Sequence, residues 1–561
     1  MERREFLSSM LLDKNPPKAL PAEKFQNQEM PYDLVLGQGG INQYAGAWNE
    51  NLLKHLLRRT LFGFSKDDVA FFKNMTMSDT VDYLLTLPLT QPDPPVNGYN
   101  KPGQIDPDIA SGDTWVNGPE NLAFNGERRN SLYAWSAEQI ISPQRNIREK
   151  MTFFLHNHFA TEVETIGYPI AAYNHHKMLR ENCLGNFKDL VKKVTTDVGM
   201  LIYLNGYLNT KTAPDENYGR ELMELFTLGK SPDSQYTEND VKAAARVLTG
   251  WRINPSTYSS FFSGVVHDTD DKTFSSFFNN TVITGKSGAA GANETDELID
   301  MIFTKEDVVA RFIVRKLYRY FLYYVIDDSI ETNVIIPLAN IFKQDWNIKN
   351  VVSTLLKSEH FFHANNVGCY IKNAFDVFGT YAKQFKLEMP DNTPEDKHAA
   401  YYALFIGISL SGLIWGNPPN VSGWPAYYQE PQYSQLWLNS DTLPKRILYT
   451  VLLMIGIDYS PGKKLQVDLI EAAKQCSDPS NPNKLIQETI DLMYAMDISA
   501  TRKQSLKQST LLFGLTSDYY WTSAWNDYIA NPSDDAKKKI VTTALLGMYK
   551  YLLDQAENQL A

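Results

Sequence analysis

The sequence predicts an all-α fold, a predominantly helical, multi-helix globular array with long irregular loops and at most a small β insertion near 252–290. Apolar residues recur at helical spacing through most of the chain from residue 47 onward. Capping signals open several of these segments, and glycine or proline closes them. The hydrophobic fraction of 43% and the charged fraction of 21% are typical of globular proteins.

The individual helices follow from these signals. Asn51 to Leu61 is apolar at helical spacing and is followed by Gly63, while Ser65 and Asp68 form a capping-box-like start, as do Thr237 and Asp240. Further helices are predicted at about 129–141, 144–160, 168–182, 186–199, 216–228 and 238–249, and helical patterning resumes over 294–356, over 370–413 and from 443 to the end.

Domain organisation is predicted from where this patterning stops. Residues 1–46 are rich in Pro, Gly and Gln and are predicted to be an N-terminal arm or a degenerate export signal. Arg3-Arg4 resembles the start of a twin-arginine signal, but the apolar stretch from Ser8 to Leu12 is shorter than an export signal needs. The default expectation is a cytoplasmic protein, with periplasmic export as the alternative. Residues 47–555 are predicted to form a single large helical domain with loop insertions at 90–125, 252–290 and 414–442.

Composition excludes several function classes. A net charge of -11 and a sequence pI near 5.4 argue against nucleic-acid binding. No apolar stretch reaches the roughly 18 residues of a transmembrane helix. Cys183, Cys369 and Cys476 have neither zinc-site nor disulfide spacing. A site for a divalent metal would therefore use histidines and carboxylates.

The two histidines of the apolar run 148–159 are the first candidates for chemistry. Imidazole is suited both to metal ligation and to proton transfer near neutral pH. At about 100° per residue, His158 lies on the face of Met151 and Leu155, whereas His156 points almost oppositely. The two rings therefore face different partners unless the helix breaks, and His158 is expected to meet the helix 217–224. Either each is a buried, hydrogen-bonded histidine, or at least one is a catalytic residue or ligand.

The second candidate group is a polar helix face. Asn217, Arg220, Glu221 and Glu224 lie together, opposite an apolar stripe. Glu221 and Glu224 are spaced to chelate a cation or share a proton, and the alternative is a solvated charged face. His267, in an irregular segment, is the third histidine expected near the site. The predicted catalytic residues are His156, His158, Arg220 and Glu221, and the predicted metal ligands are His158, Glu221, Glu224 and His267.

The irregular segment 414–442 is dense in Trp, Tyr and Pro. Exposed rings here would stack on sugars or another planar ligand, which makes Trp424 and Trp437, together with Asn217, candidate ligand-binding residues. The alternative is that these rings fill a region without regular secondary structure.

Several strings together resemble one bacterial family, catalogued as domain of unknown function 1800. They are His55-Leu-Leu-Arg58-Arg59 with Phe62-Gly63, Arg148 to Met151 leading to His156-Asn157-His158-Phe159, Asn217 to Gly229, Thr237 to Trp251, His267-Asp268 with Lys272, and Pro418 to Pro425. The resemblance covers about residues 47–450 and implies a helical domain. It also implies frequent export and a sulfatase-like partner protein. Phe226 stands where some members have His, which weakens a metal site on that helix.

Three functions follow as hypotheses. The first is an enzyme with a buried His/Glu/Arg site, such as a metal-dependent hydrolase. The second is a non-catalytic module of the bacterial envelope that binds a polysaccharide or a partner protein. The third is that the polar strings are structural, with Arg148, Glu149, Arg220, Glu221 and Glu224 satisfying one another.

Overall fold

Helices dominate residues 39–230 and 232–561, which are the residues that the computed structural model describes. Strands within these ranges occur only in small two-stranded antiparallel sheets, so the predicted helical class with small β insertions is confirmed. The part of the predicted arm or export signal that spans residues 1–38 lies outside the described residues. None of the helices in these ranges is long and apolar enough to cross a membrane.

The first half of the chain contains the elements that carry the predicted site. They are α1 Glu50–Thr60, α2 Lys66–Phe72, α3 Met77–Leu84, α4 Asn125–Ile141, α5 Arg148–His158, α6 Val163–Ile166, α7 Pro169–Glu181, α8 Phe187–Thr195, α9 Val198–Tyr203, α10 Asn217–Glu221 and α11 Glu238–Val247, then β1 Trp251–Asn254, β2 Ser259–Phe262, β3 Lys272–Thr273 and β4 Val282–Ile283.

The second half completes the helical array. Its elements are α12 Asn293–Phe303, α13 Glu306–Phe321, α14 Asp328–Ile330, α15 Ile336–Asp345, α16 Ile348–Lys357, α17 Ala374–Gln384, α18 Pro394–Leu410, α19 Thr442–Ile455, β5 Ile457–Ser460, β6 Lys463–Leu465, α20 Leu469–Lys474, α21 Pro482–Met493, α22 Ala500–Ser509, α23 Tyr519–Ala530 and α24 Asp535–Leu553.

Capping residues set several helix starts as predicted. Ser65 and Asp68 form a full capping box at α2, and Thr237 with Asp240 forms another at α11. The helix predicted at 186–199 is divided instead. The Asp197 carboxylate accepts from the backbone N–H of Met200 and so begins α9 as a separate helix.

Two β features refine the predictions. The pairs β1–β2 and β3–β4 lie at the predicted β insertion near 252–290. The pair β5–β6, in contrast, interrupts a region predicted to be helical. Pro461-Gly462 makes the turn between these two strands, with Gly462 in the left-handed region that favours glycine. The helical prediction over this stretch is therefore wrong.

Helix α5 is enclosed by the rest of the protein, since nine of its eleven residues are buried. Such a helix needs polar partners on each side for its charged residues. Glu149 accepts two hydrogen bonds from the Arg180 guanidinium of α7, at 2.8 and 2.9 Å. Lys150 forms a buried ion pair with Asp376 of α17. The Tyr320 hydroxyl of α13 donates to the Lys150 carbonyl at 2.7 Å.

We expect the Lys150–Asp376 pair to dominate the electrostatics of this core. Lys150→Met leaves Asp376 as a buried carboxylate without its cation, so the free energy of unfolding should fall by about 3–5 kcal/mol. The double variant Lys150→Met/Asp376→Leu should recover at least half of that loss. Urea unfolding of both variants measures the difference.

The matched control is the half-exposed pair of Lys397 and Glu138, 2.6 Å apart. Lys397→Met should change the stability by no more than about 1 kcal/mol, since water screens this pair. An equal loss from Lys150→Met and Lys397→Met would contradict the central role of the buried pair.

Candidate functional site

His158 contacts a single backbone carbonyl, which lies just beyond the predicted partner helix 217–224. Residues Leu222–Thr227, which follow α10, form a π-helical turn whose widened geometry frees carbonyl groups. Nε2 of His158 lies 3.0 Å from the Phe226 carbonyl. Since a carbonyl only accepts, Nε2 carries the proton and Nδ1 is the acceptor for Lys316 Nζ, 3.0 Å away. Burial, together with Lys316, holds the pKa of His158 well below its usual range.

His156 faces the other side of α5, also as predicted, and there it meets imidazoles that the sequence analysis did not single out. Its ring centroid lies 4.3 Å from that of His176 on α7. His176 stacks on Trp415 at 4.0 Å. Neither ring nitrogen of His156 or of His176 has a hydrogen-bond partner among the described residues. Burial holds the pKa of both imidazoles well below its usual range.

His175 completes this group of three buried histidines. Its Nδ1 lies 2.7 Å from Asp197 Oδ2, while Nε2 has no partner among the described residues. We call His156, His175 and His176 the imidazole cluster. Its members are at most 1% exposed, so a substrate of any size has no direct access to them.

The predicted carboxylate face lies elsewhere and is satisfied by its own neighbours. Arg220 donates two hydrogen bonds to Glu238 of α11, at 2.8 and 2.6 Å, and another to Glu216. Glu224 pairs with Lys230 at 2.5 Å. Burial, reinforced by the nearby Glu224 charge, raises the pKa of Glu221. Asn217 makes a long 3.4 Å hydrogen bond to the Leu204 carbonyl.

His267 belongs to a third place in the fold. Its Nδ1 contacts the Thr249 carbonyl at 2.7 Å, and its Nε2 lies 3.1 Å from Glu294. Glu294 also pairs with Lys272 at 2.6 Å, and all three side chains are fully buried. This group fastens the β insertion to α12.

The described residues do not bring the predicted metal ligands His158, Glu221, Glu224 and His267 together in one group. The described residues contain no group of three or more His, Cys, Asp or Glu side chains placed to hold a metal ion. His158 contacts a backbone carbonyl and a lysine, and Glu224 pairs with another lysine. His267 contacts the Thr249 carbonyl and Glu294.

The predicted stacking platform is also corrected. Trp424 is 3% exposed and Trp437 is 4% exposed, so neither ring face is open to a ligand. Trp424 packs on Phe153 and on His156, and its backbone N–H donates to Asn157 Oδ1 at 2.8 Å. The Trp-rich segment covers the end of α5. This agrees with the alternative that its rings fill a region without regular secondary structure.

The mutual pairing predicted for five charged residues does not occur either. Glu149 pairs with Arg180, and Arg148 donates to the Thr90 and Pro88 carbonyls. Neither contacts the α10 carboxylates, because α5 and α10 satisfy their charges with different neighbours.

A cleft of about 1090 Å³ opens in the described part of the chain. One wall is the helix pair α4 and α18, which pack along each other and stack Tyr133 on Phe405 at 4.6 Å. The other walls are the start of α2, the end of α17 and the loop residues 90–96. None of the residues predicted as catalytic or metal-binding lines it.

The loop 90–125 forms a fixed wall of this cleft. Asp106 makes a fully buried ion pair with Arg128 of α4 at 3.0 Å. The Trp115 indole donates to Ser131 Oγ at 3.0 Å, also on α4. Gly98 touches the start of α18 so closely that a Cβ there would overlap the Pro394 carbonyl oxygen. These contacts hold the loop against both helices of the wall.

Charges in the cleft lining balance and are largely paired. Arg145 pairs with Asp68 at 2.7 Å, Lys386 with Asp67 at 3.0 Å, and Lys397 with Glu138 at 2.6 Å. Lys383 is different: its Nζ donates only to the Gly63 carbonyl, at 3.3 Å, and has no ion pair among the described residues. The lining holds four carboxylates and four basic side chains, Asp67, Asp68, Asp93 and Glu138 with Arg145, Lys383, Lys386 and Lys397.

Sequence reasoning missed both the imidazole cluster and the cleft lysine. The adjacent pair His175-His176 inside a predicted helix was an available signal for the cluster. Lys383 carried no signal, since it is one of many helical lysines and becomes unusual only through what surrounds it.

Neutral buried imidazoles make stability depend on pH. The folded state keeps His156, His158 and His176 unprotonated, whereas the unfolded chain protonates them near pH 6.5. The contribution of these histidines to the free energy of unfolding is therefore complete above pH 6.5. Below pH 6.5 it decreases by about 1.4 kcal/mol per pH unit for each histidine. His176→Phe keeps a ring against Trp415 and should reduce this slope by about one histidine's share.

Urea unfolding at several values between about pH 6.5 and 5 measures the slope. Phe159→Leu is the matched control, because it perturbs the same core without removing an imidazole. An unchanged slope in His176→Phe would show that this ring is not held neutral.

Trp424→Ala should destabilise the protein by about 3–5 kcal/mol, because it removes a buried ring from the core. Urea unfolding gives the loss, and Trp424→Phe should retain more than half of the stability. Full stability together with lost sugar binding would instead support the predicted stacking role.

Comparison with known proteins gives the context for these findings. No curated protein and no solved structure matches the chain. A family model described as protein of unknown function (DUF1800) matches residues 55–551, a span that includes α5, the imidazole cluster and every wall of the cleft. The chain therefore belongs to the DUF1800 family.

Proposed function

We propose that the protein binds a neutral, polyhydroxylated chain, such as a segment of a polysaccharide, in the cleft between α4, α18 and the loop 90–96. The observation that carries this proposal is the cleft itself. Its volume of about 1090 Å³ is at the upper end of small-molecule pockets and leaves room for several sugar units.

The chemistry of the lining favours such a ligand over a charged polymer. Its equal numbers of carboxylates and basic groups provide hydrogen-bond donors and acceptors without a net charge. Gln91 adds a buried amide oxygen with no partner among the described residues, and Tyr401 adds a half-buried phenol. The lining also contains five prolines, which give flat, rigid surfaces between the polar groups, at positions 92, 94, 95, 143 and 394.

The predicted metal-dependent hydrolase is less well supported by this arrangement. Its histidines are enclosed, and its carboxylates lie on a different helix face with their own partners. The cleft, in contrast, is open, and the contacts of the loop 90–125 with α4 and α18 hold one of its walls in place. A rigid, preformed site lowers the entropy that binding must overcome.

Isothermal titration of the full chain with cellohexaose, xylohexaose, maltohexaose and chitohexaose tests the proposal. At least one should bind, and Tyr401→Ala should weaken that binding about tenfold through loss of one ring contact. Tyr520→Ala, on α23 and 50% exposed, is the matched control and should leave the affinity unchanged. Failure of all four oligosaccharides to bind, or equal effects of the two substitutions, would overturn the proposal.

A further inference from the structure

We propose that Lys383 is an amine nucleophile that forms an imine with the carbonyl group of an aldehyde or ketone bound in the cleft. This inference rests on the proposed function, because it takes the cleft as the ligand site. It goes further by assigning the cleft a reactive group and a class of reacting partner.

The position of Lys383 is fixed by a close helix contact. The chain turns at Gly63, after α1, and lies directly against α17. A Cβ on Gly63 would overlap the backbone of Thr380 there. This contact brings the Gly63 carbonyl to 3.3 Å from Lys383 Nζ, one turn later on the same helix. The amine is thereby held in the cleft lining by an uncharged acceptor.

The surroundings of Lys383 separate it from the other two lysines of the cleft. Lys386 and Lys397 are each bound to a carboxylate, which favours the ammonium form. Asp68 is the carboxylate whose charge acts on Lys383. Its oxygens already accept hydrogen bonds from Arg145 and from the hydroxyl and backbone N–H of Ser65. Lys383 therefore meets no ion-pair partner among the described residues.

Burial lowers the pKa of Lys383 to about 8, with Asp68 of α2 opposing the shift and Lys150 of α5 adding to it. Near neutral pH roughly one molecule in ten then carries the free amine, far more than an ordinary lysine provides. Only this uncharged form has the lone pair needed for attack.

The reaction balances without an oxidant or reductant. The Nζ lone pair attacks the carbonyl carbon, and the C=O π electrons move to oxygen. A proton passes from nitrogen to that oxygen to give a carbinolamine. Loss of water then leaves a C=N bond between the ligand and Lys383. The open-chain reducing end of a sugar has the required carbonyl group, and so do smaller aldehydes.

Reductive trapping tests the proposal on the full chain. The protein is incubated with glycolaldehyde and cyanoborohydride near pH 7, and peptide mass spectrometry follows the hydroxyethylation of each cleft lysine. We expect Lys383 to be labelled about tenfold faster than Lys386 or Lys397. Its rate should rise with pH and level off above about pH 8. Labelling of Lys383 no faster than that of Lys386 would overturn the proposal.

Two variants test whether the label depends on the Lys383 amine itself. Lys383→Arg keeps a cation but should lose the fast label, whereas Lys445→Met, at a partly exposed lysine of α19 that does not line the cleft, should leave the labelling of Lys383 unchanged. Thermal unfolding confirms that both variants fold. An oligosaccharide that binds in the titration should protect Lys383 from labelling. If an oligosaccharide binds but Lys383 is labelled no faster than the other lysines, only the proposal that Lys383 is a nucleophile is rejected. If Lys383 is labelled selectively but no oligosaccharide binds, only the proposal of a polysaccharide ligand is rejected.

Discussion

The enclosure of α5 is the constraint on which the rest of the structure depends. A helix buried on all sides has no solvent to receive its charged groups, so each must find a partner within the protein. Glu149 is met by α7, Lys150 by Asp376 of α17, and His158 by the turn after α10. The Lys150–Asp376 pair is the most demanding of these contacts, because both groups are charged and almost completely buried. Satisfying α5 therefore fixes where the surrounding helices lie.

This arrangement also explains why the polar strings of the sequence do not form one site. Neighbouring polar residues on α5 point in different directions and meet different elements. His156 turns to the imidazole cluster, while His158 turns to the Phe226 carbonyl. The open space lies instead beside α4 and α18, where the loop 90–125 is anchored by the Asp106–Arg128 pair. The buried polar residues and the open cleft thus lie in different parts of the fold. The proposed function is assigned to the cleft, because only the cleft is accessible to a ligand.

Much of the fold could be predicted because it rests on local signals. Helical spacing and capping boxes such as Ser65 with Asp68 act within a few residues. The opposite directions of His156 and His158 followed from helix phase alone, whereas the contact of His158 with the Phe226 carbonyl lies just beyond the predicted partner helix 217–224. The predictions were less accurate where the position of a side chain depends on how two distant segments pack together. The aromatic density of 414–442 could not show whether Trp424 faces water or α5, and the metal prediction needed side chains that proved to lie in three places.

The sequence by itself determined the helical class, the positions of several helices in the first half, the family and the phase of the histidine helix, since each depends on residues close together along the chain. Tertiary structure alone decided that Trp424 is buried, that His175 and His176 join His156, and that Lys383 lines a cleft without an ion-pair partner. Those properties depend on which distant segments meet and on how much water they exclude. Burial and charge pairing change the chemistry of a side chain without changing its place in the sequence.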